Sequence, residues 1–199
     1  MFSFKECSHP GCRTYVSAPY DVCYHHATNE QKRDMIERIA GKLESDPIVR
    51  DETVVGGAFE DLRVKDRVLK ASNFAFSVFT NCDFTGCRII NCFFDFCIFI
   101  NCSFIDSSIR YSVFSGSTIR STRFNDDIVI HSNFMGISAD RSSYDHSDLY
   151  YSNFSMSKLI RTSFEDCNLK RVNYTACYLK DVSFRYSNPD EAFFREDER

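Results

Sequence analysis

The chain has 199 residues, 24 basic against 28 acidic for a net charge of −4, 20 phenylalanines, ten cysteines, seven glycines and no tryptophan. That length suits one domain with a small appendage. The negative balance speaks against nucleic-acid binding through bulk charge, and no run of ~20 apolar residues is available to span a membrane.

The start, Met1-Phe2-Ser3-Phe4-Lys5, lacks the charged segment and apolar run of a secretion signal, so a cytoplasmic protein is expected. Three cysteines follow, in Cys7-Ser8-His9-Pro10-Gly11-Cys12 and Cys23-Tyr24-His25-His26. Cys7, Cys12, Cys23 and His26 are spaced Cys-x4-Cys-x10-Cys-x2-His and supply three thiolates and an imidazole, a donor set that closes a structural zinc site. The segment resembles a short Cys3His zinc knuckle. Too few apolar residues lie between Cys7 and His26 to form a core, so without metal the entropy of ordering would go uncovered. His25 and His9 stand as alternative fourth ligands, and the competing reading is a leader with incidental cysteines. Four protein ligands leave no open position for water, which argues against a catalytic zinc.

Thr28 with Gln31 three residues on is a capping box that opens a helix. Met35, Ile36, Ile39, Ala40 and Leu43 fall on one side of it, and Ser45-Asp46-Pro47 ends it. From 51 to 70 the pattern weakens. Val54, Phe59, Val64 and Leu69 recur every fifth residue, yet Arg67 occupies a position that elsewhere holds a small inward residue, so an irregular lead-in coil is expected here.

From residue 71 to 188 the fivefold return is nearly unbroken, as in Phe74, Phe79, Phe84, Ile89, Phe94, Phe99 and Phe104, with a small residue two places before each. A period of five matches neither a helix nor a strand and marks a repeat architecture. The units Ser72-Asn73-Phe74, Cys82-Asp83-Phe84, Ser132-Asn133-Phe134 and Ser147-Asp148-Leu149 closely resemble the pentapeptide-repeat family. The resemblance implies an all-β fold, a right-handed quadrilateral β-helix with four pentads to a coil and the large and small residues inward. About six coils would make a rod of ~28 Å.

Sorting by twenties tests that geometry. Phe74, Phe94, Phe114, Phe134, Phe154 and Tyr174 share one side, Phe84, Phe104, Phe124, Tyr144, Phe164 and Phe184 the opposite one, and Ile89, Ile109, Val129, Leu149 and Leu169 a third. Cys82, Cys87, Cys92, Cys97, Cys102, Cys167 and Cys177 take small inward places, where a thiol behaves as a compact hydrophobe in a reducing compartment.

Function then belongs to outward residues. Phe76, Phe93 and Phe96, with Ile98 and Ile100 round the corner, form an apolar cluster, and clusters of this size are rarely left wet. The helix is expected to fold over it, the other occupants being a second copy of the chain or a protein partner. A second side is acidic, with Asp83, Asp106, Asp126, Asp145, Glu165 and Asp166. A third is basic and aromatic, with Arg110, Tyr111, His131, Tyr150, Tyr151 and Arg171, and a fourth carries Arg120, Arg141, Lys158, Arg161 and Lys180. Between 71 and 188 eleven basic and eleven acidic residues balance, so the rod is neutral but polarised, an arrangement that steers partners.

Some pentapeptide-repeat proteins resemble duplex DNA in size and charge and bind type II topoisomerases in bacteria, and the acidic side is what the resemblance would use. The basic aromatic side suggests binding of single strands instead, against the negative net charge. Asp127 at an inward position is expected to bulge outward or to be satisfied by His146 or Ser147, and Ile137 and Ala139 exchange large and small roles. A rod filled by its own side chains offers no cleft for chemistry or a small-molecule substrate. The sequence therefore reads as a non-enzymatic interaction scaffold, for which the family resemblance implies a bacterial source: a knuckle and helix over 1–50, a lead-in coil over 51–70, the β-helix over 71–188 and an acidic cap over 189–199.

Overall fold

A computed structural model of the chain describes residues 5–195. Each pentad makes one side of a four-sided tube. Two sides are parallel sheets of three-residue strands, with the large residue at the middle of each strand. One sheet comprises β1 (Ile48–Arg50), β3 (Val68–Lys70), β5 (Arg88–Ile90), β7 (Ser108–Arg110) and β9 (Ile128–Ile130). The other comprises β2 (Ala58–Glu60), β4 (Val78–Thr80), β6 (Ile98–Ile100), β8 (Thr118–Arg120), β10 (Ser138–Asp140), β11 (Lys158–Ile160) and β12 (Tyr178–Lys180). The remaining two sides are ladders of single bridges such as Asn73 to Phe93 and Asp83 to Ser103.

Every pairing within the tube joins residues twenty apart, as in Ile89 with Ile109 and Phe79 with Phe99. The corner residue two places after each large one takes a left-handed backbone, with φ 55° at Phe96 and φ 53° at Tyr111. Such corners are unfavourable singly for any residue with a Cβ, and here the ladders above and below hold each of them.

The preference for small inward residues has a hydrogen-bonding cause. Ser117 Oγ accepts from the Cys97 N–H (2.9 Å) and donates to the Phe94 carbonyl (2.8 Å), so a hydroxyl satisfies backbone groups that the flat sides leave over. Between these rows the aromatic residues stack. Phe94 and Phe114 are fully buried with ring centres 5.0 Å apart, Phe104 lies 4.6 Å above Phe124, and Phe114 meets Phe124 edge-on at 89°. Ring-to-ring and ring-to-edge contacts thus fill the tube, in the offset and edge-on geometries that aromatic pairs prefer.

Several expectations are corrected. Bridges from Thr53 through Asn73 to Phe193 climb in seven steps of twenty, six of them from Asn73 onward as expected and a seventh made by the coil over 51–70. The segment 51–70 is a regular coil: β1 pairs with β3, and β2 with β4, at full register. Arg67 does not break it, because its guanidinium leaves the tube and donates to the Glu44 carbonyl at 2.9 Å. Asp127 does not bulge but points inward and is 2% exposed. Its carboxylate is met by neither His146 nor Ser147; the Ser147 hydroxyl instead accepts from the Asp127 N–H. Ile137 and Ala139 are both buried, so their exchange is accommodated in place.

The helix α1 (Asn29–Ser45) has Thr28 as its N-cap, with the Thr28–Gln31 capping box formed at both bonds. It does not cover Phe76 and Phe96. Its buried residues Met35, Ile39 and Leu43 close the open end of the tube, where Ile39 and Leu43 join the core of Val49, Val54 and Phe59. The physical reason is that the first coil's inward residues have no coil below them, and covering them removes more apolar surface than lying on one side. At the other end the chain turns through Pro189–Glu191, Phe193 bridges Asn173, and Phe194 stacks on Tyr174 at 5.2 Å. Residues 196–199 of the expected acidic cap lie outside the described residues.

Candidate functional site

The amino-terminal segment folds as a tight hairpin against the first coil. Glu6 bridges Tyr15 in antiparallel sense, the Cys7 N–H donates to the Thr14 carbonyl, and the turn between them passes through Gly11 at φ +79°, a conformation that glycine adopts without strain. A second turn, with the His26 N–H on the Cys23 carbonyl, swings His26 back toward the hairpin. Four donors converge as a result. Cys7 Sγ and Cys23 Sγ lie 3.5 and 3.4 Å from His26 Nδ1, and Cys12 Sγ lies 3.9 Å from Cys23 Sγ.

These separations can be checked against a metal at the centre. With metal–sulfur bonds of ~2.3 Å and metal–nitrogen bonds of ~2.05 Å, a tetrahedron places sulfurs ~3.8 Å apart and sulfur and nitrogen ~3.6 Å apart. The donor set therefore has the size that a tetrahedral ion requires. Hydrogen bonding from Thr14 lowers the Cys12 thiol below its ordinary pKa, which favours the thiolate, while burial raises Cys23. His9 stacks flat on His26 at 3.9 Å and His25 stands edge-on to it at 5.5 Å, so of the three histidines His26 is the one turned to the sulfurs.

The knuckle is tied to the tube. Ala18 N–H donates to the Thr53 carbonyl, Ser17 Oγ is bonded with the backbone of Val55, and Arg38 on α1 joins the Ala18 carbonyl to Glu52. Its far edge and the nearest side of the tube enclose two adjoining hollows that share Thr14, Val55 and Phe76. The first continues to Tyr24 and His25, the second to Phe93 and Asp95. Sequence reasoning singled out neither Asp95 nor Val55. Their column, Val55, Ala75, Asp95, is visible by counting in twenties, but its neighbour across the gap belongs to the hairpin and follows no period.

The other candidate residues fall on distinct sides. Phe76 and Phe96 are 56% and 55% exposed, stacked at 5.1 Å, with Ile98 beside them also exposed. Asp106, Asp126 and Asp166 are exposed in one column, which His146 interrupts by pairing with Asp166 at 3.2 Å. Asp83 pairs with Lys65, whereas Asp145 and Glu165 are part-buried and engaged with Ser143 and Ser183. Arg110 donates to Ser108. Tyr111 stacks on His131 at 5.5 Å, Tyr151 lies tilted against His131 at 5.0 Å with Arg171 over its ring, and Tyr150 meets His131 edge-on. Among the described residues no helix is long and apolar enough to cross a membrane.

Residues 77–154 match the family model described as a pentapeptide repeat region. None of the curated proteins compared matches the chain in sequence. Among solved structures it is similar to trypsin-treated QnrB1, a plasmid-mediated fluoroquinolone resistance protein, at 17% identity and TM-score 0.48 over 68% of this chain and 74% of that one. It is similar to HetL, a pentapeptide-repeat protein involved in heterocyst differentiation regulation from the cyanobacterium Nostoc sp., at 7% identity and TM-score 0.32 over 82% and 97%. Rfr23 from the cyanobacterium Cyanothece 51142 matches at 12% identity and TM-score 0.28 over 79% and 98%.

Proposed function

Because the rod of this chain is a pentapeptide-repeat β-helix, we propose that the protein is a non-enzymatic scaffold that binds another protein through the outside of the tube. The observation that carries this reading is the exposed Phe76–Phe96 stack with Ile98, an apolar patch on a rod whose interior its own side chains fill. In this reading Cys7, Cys12, Cys23 and His26 hold a zinc ion whose part is structural: it closes a segment that has little core of its own and fixes its edge beside the patch.

The experiment is affinity capture on the full chain from its host, repeated with Phe76→Ser and Phe96→Ser together, with Asp106, Asp126 and Asp166 changed to Asn, and with Tyr111 and Tyr151 changed to Ser. A partner lost with the apolar pair and retained by the other two sets supports the reading. Capture of nothing, or equal loss with every set, sinks it. Sedimentation of the pure chain separates a second copy from a foreign partner on the same patch.

A second reading has a specific observation behind it. Asp106, Asp126 and Asp166 rise in one column along the rod, as charges would on a mimic of DNA that binds a type II topoisomerase. His146 in that column and the neutral balance of the rod count against it. A supercoiling assay with no inhibition at micromolar protein removes it.

A further inference from the structure

We propose that the hollow near the carboxyl end of the tube, lined by Tyr151, Arg171 and Phe193, binds the free carboxyl-terminal residue of a partner protein, with its carboxylate on Arg171 and a large apolar side chain against the two rings. The site lies at the opposite end of the tube from the Phe76–Phe96 patch, so the inference goes beyond the proposed function and its test is separate from capture through that patch.

Counting in twenties shows how the hollow arises. Tyr151, Arg171 and Glu191 share one corner column, and Asn133, Asn153, Asn173 and Phe193 run up the neighbouring side. Lower down, the asparagine amides satisfy one another, since Asn153 Nδ2 donates to Asn133 Oδ1 at 3.4 Å. One turn on, that ladder stops. Asn173 Oδ1 accepts the Thr175 N–H at 3.0 Å, its amide nitrogen has no acceptor among the described residues, and Phe193 stands where a further asparagine would continue the column. Phe193 is half-buried and Tyr151 exposed, and with Ser152 and the two asparagines they line a hollow of about 320 Å³ that opens to solvent. That is the lower end of the range for ligand pockets, room for one large side chain and its carboxylate rather than an extended segment.

Charge complementarity picks the occupant. Arg171 is exposed and forms no ion pair or side-chain hydrogen bond among the described residues, and its guanidinium lies over the Tyr151 ring, 6.0 Å from the centre. A guanidinium that meets a ring with its face keeps its N–H edge for an acceptor. The acid of the same column is already engaged. Glu191 accepts from Asn188 at 2.9 Å and pairs with Lys170 at 3.4 Å, and the two hold its carboxyl below the usual range. One uncompensated guanidinium beside an unpaired amide N–H suits a single negative charge spread over two coplanar oxygens, a carboxylate. A phosphate dianion would call for a second cation, and Lys170 is occupied. The rings of Tyr151 and Phe193 favour an apolar group next to that carboxylate. A carboxyl-terminal residue bears both groups on one Cα, and the open side of the hollow lets the preceding chain leave. Tyr151 and Arg171 stand at corners of φ 58° and 59° that the ladders hold, so little backbone ordering is left to do on binding.

The test is selection of a random peptide library displayed with free carboxyl termini on the zinc-supplemented full chain. One enriched peptide, its carboxamide and N-acetylphenylalanine are then titrated, with the backbone amide signals of Asn153, Asn173 and Phe193 as the readout. Enriched peptides are expected to end in a large apolar or aromatic residue. The carboxamide and Arg171→Gln should each weaken binding about tenfold. With the carboxamide, Arg171→Gln should cost less than about twofold more, because the two changes remove one interaction. Lys158→Gln, which removes the same charge from the sheet of β11, should leave binding unchanged. A thermal melt of Arg171→Gln, at an exposed corner, checks that the fold persists. Binding indifferent to the terminal carboxylate or to Arg171→Gln overturns the site, and so does enrichment of nothing. N-acetylphenylalanine binding as tightly as the peptide overturns a partner's terminus as the occupant in favour of a free aromatic acid. In each case the scaffold reading still stands or falls on its own capture experiment.

Discussion

Asp127 Oδ1 accepts a 2.6 Å hydrogen bond from the Ser107 N–H one turn below, the place that a serine hydroxyl takes at Cys87, where Ser107 Oγ accepts at 3.0 Å. A carboxyl therefore stands in for a hydroxyl inside the tube, and its second oxygen has no partner. Burial is the main cause that pushes Asp127 to about 9, with Asp106 and Asp126 adding to it and the Ser107 bond opposing.

The folded chain thus holds a proton at Asp127 that the unfolded chain, with an aspartate near ~3.9, releases. The stability that this group contributes is fully present below pH ~4 and falls by up to ~1.4 kcal/mol per pH unit toward the folded value. Asp127→Ser should flatten this dependence. Urea denaturation at pH 5 and pH 8 is expected to show the variant gaining on the wild type as pH rises; an unchanged difference would falsify the buried acid.

Tyr144 and Tyr174 are fully buried in phenylalanine columns, and neither hydroxyl has a partner. Tyr144 sits 4.8 Å from Phe124 and 4.9 Å from Phe164 in flat stacks that a phenylalanine would continue unchanged. Tyr144→Phe and Tyr174→Phe should each stabilise by ~1 kcal/mol by removing a desolvated hydroxyl. A loss in the denaturation midpoint of either variant would mean that the hydroxyl has a partner in solution.

Gly116 packs against the Phe96 ring at φ +68°, and an added Cβ would come within 2.5 Å of it. Gly116→Ala should cost ~1–2 kcal/mol, from left-handed strain and displacement of the ring. Gly136 adopts φ +69° with nothing within 4 Å of an added Cβ, so Gly136→Ala should cost only the strain. Equal melting temperatures for the two would show that Phe96 moves aside freely.

Native mass spectrometry should find one zinc per chain, and removing it should expose backbone amides of the knuckle and first turn to hydrogen exchange while the rod keeps its β signal. Cys12→Ser should do the same. A thiol-reactive dye should then label Cys7, Cys12 and Cys23 and spare Cys87, Cys92 and Cys167 until unfolding, since burial pushes Cys87 to about 11 and both Cys92 and Cys167 to about 12. Zinc-free protein with fast-exchanging knuckle amides from the outset would remove the metal.

Residues such as Phe94 and Phe114 could be placed from sequence because the requirement on them repeats. Every fifth residue meets the same inward environment, and every twentieth meets its own copy, so one register, once found, is tested again at each turn. The capping box at Thr28 and the convergence of Cys7, Cys12, Cys23 and His26 were legible for a related reason: each is a local spacing of side chains that meet. Arg67 misled because side-chain length let it obey the register while its charge left the tube for Glu44.

Sequence alone decided which residues enter the tube, since that follows from a hydrophobic period written along the chain; its four sides, and with them which residues stack, were what the family resemblance implied. Only the tertiary structure decided that α1 closes the end of the tube instead of covering Phe76, and that Asp95 faces a groove completed by Thr14 and Tyr15. Those contacts join a hairpin, a helix and a repeat that share no period, and their outcome depends on which arrangement buries the unfinished first coil.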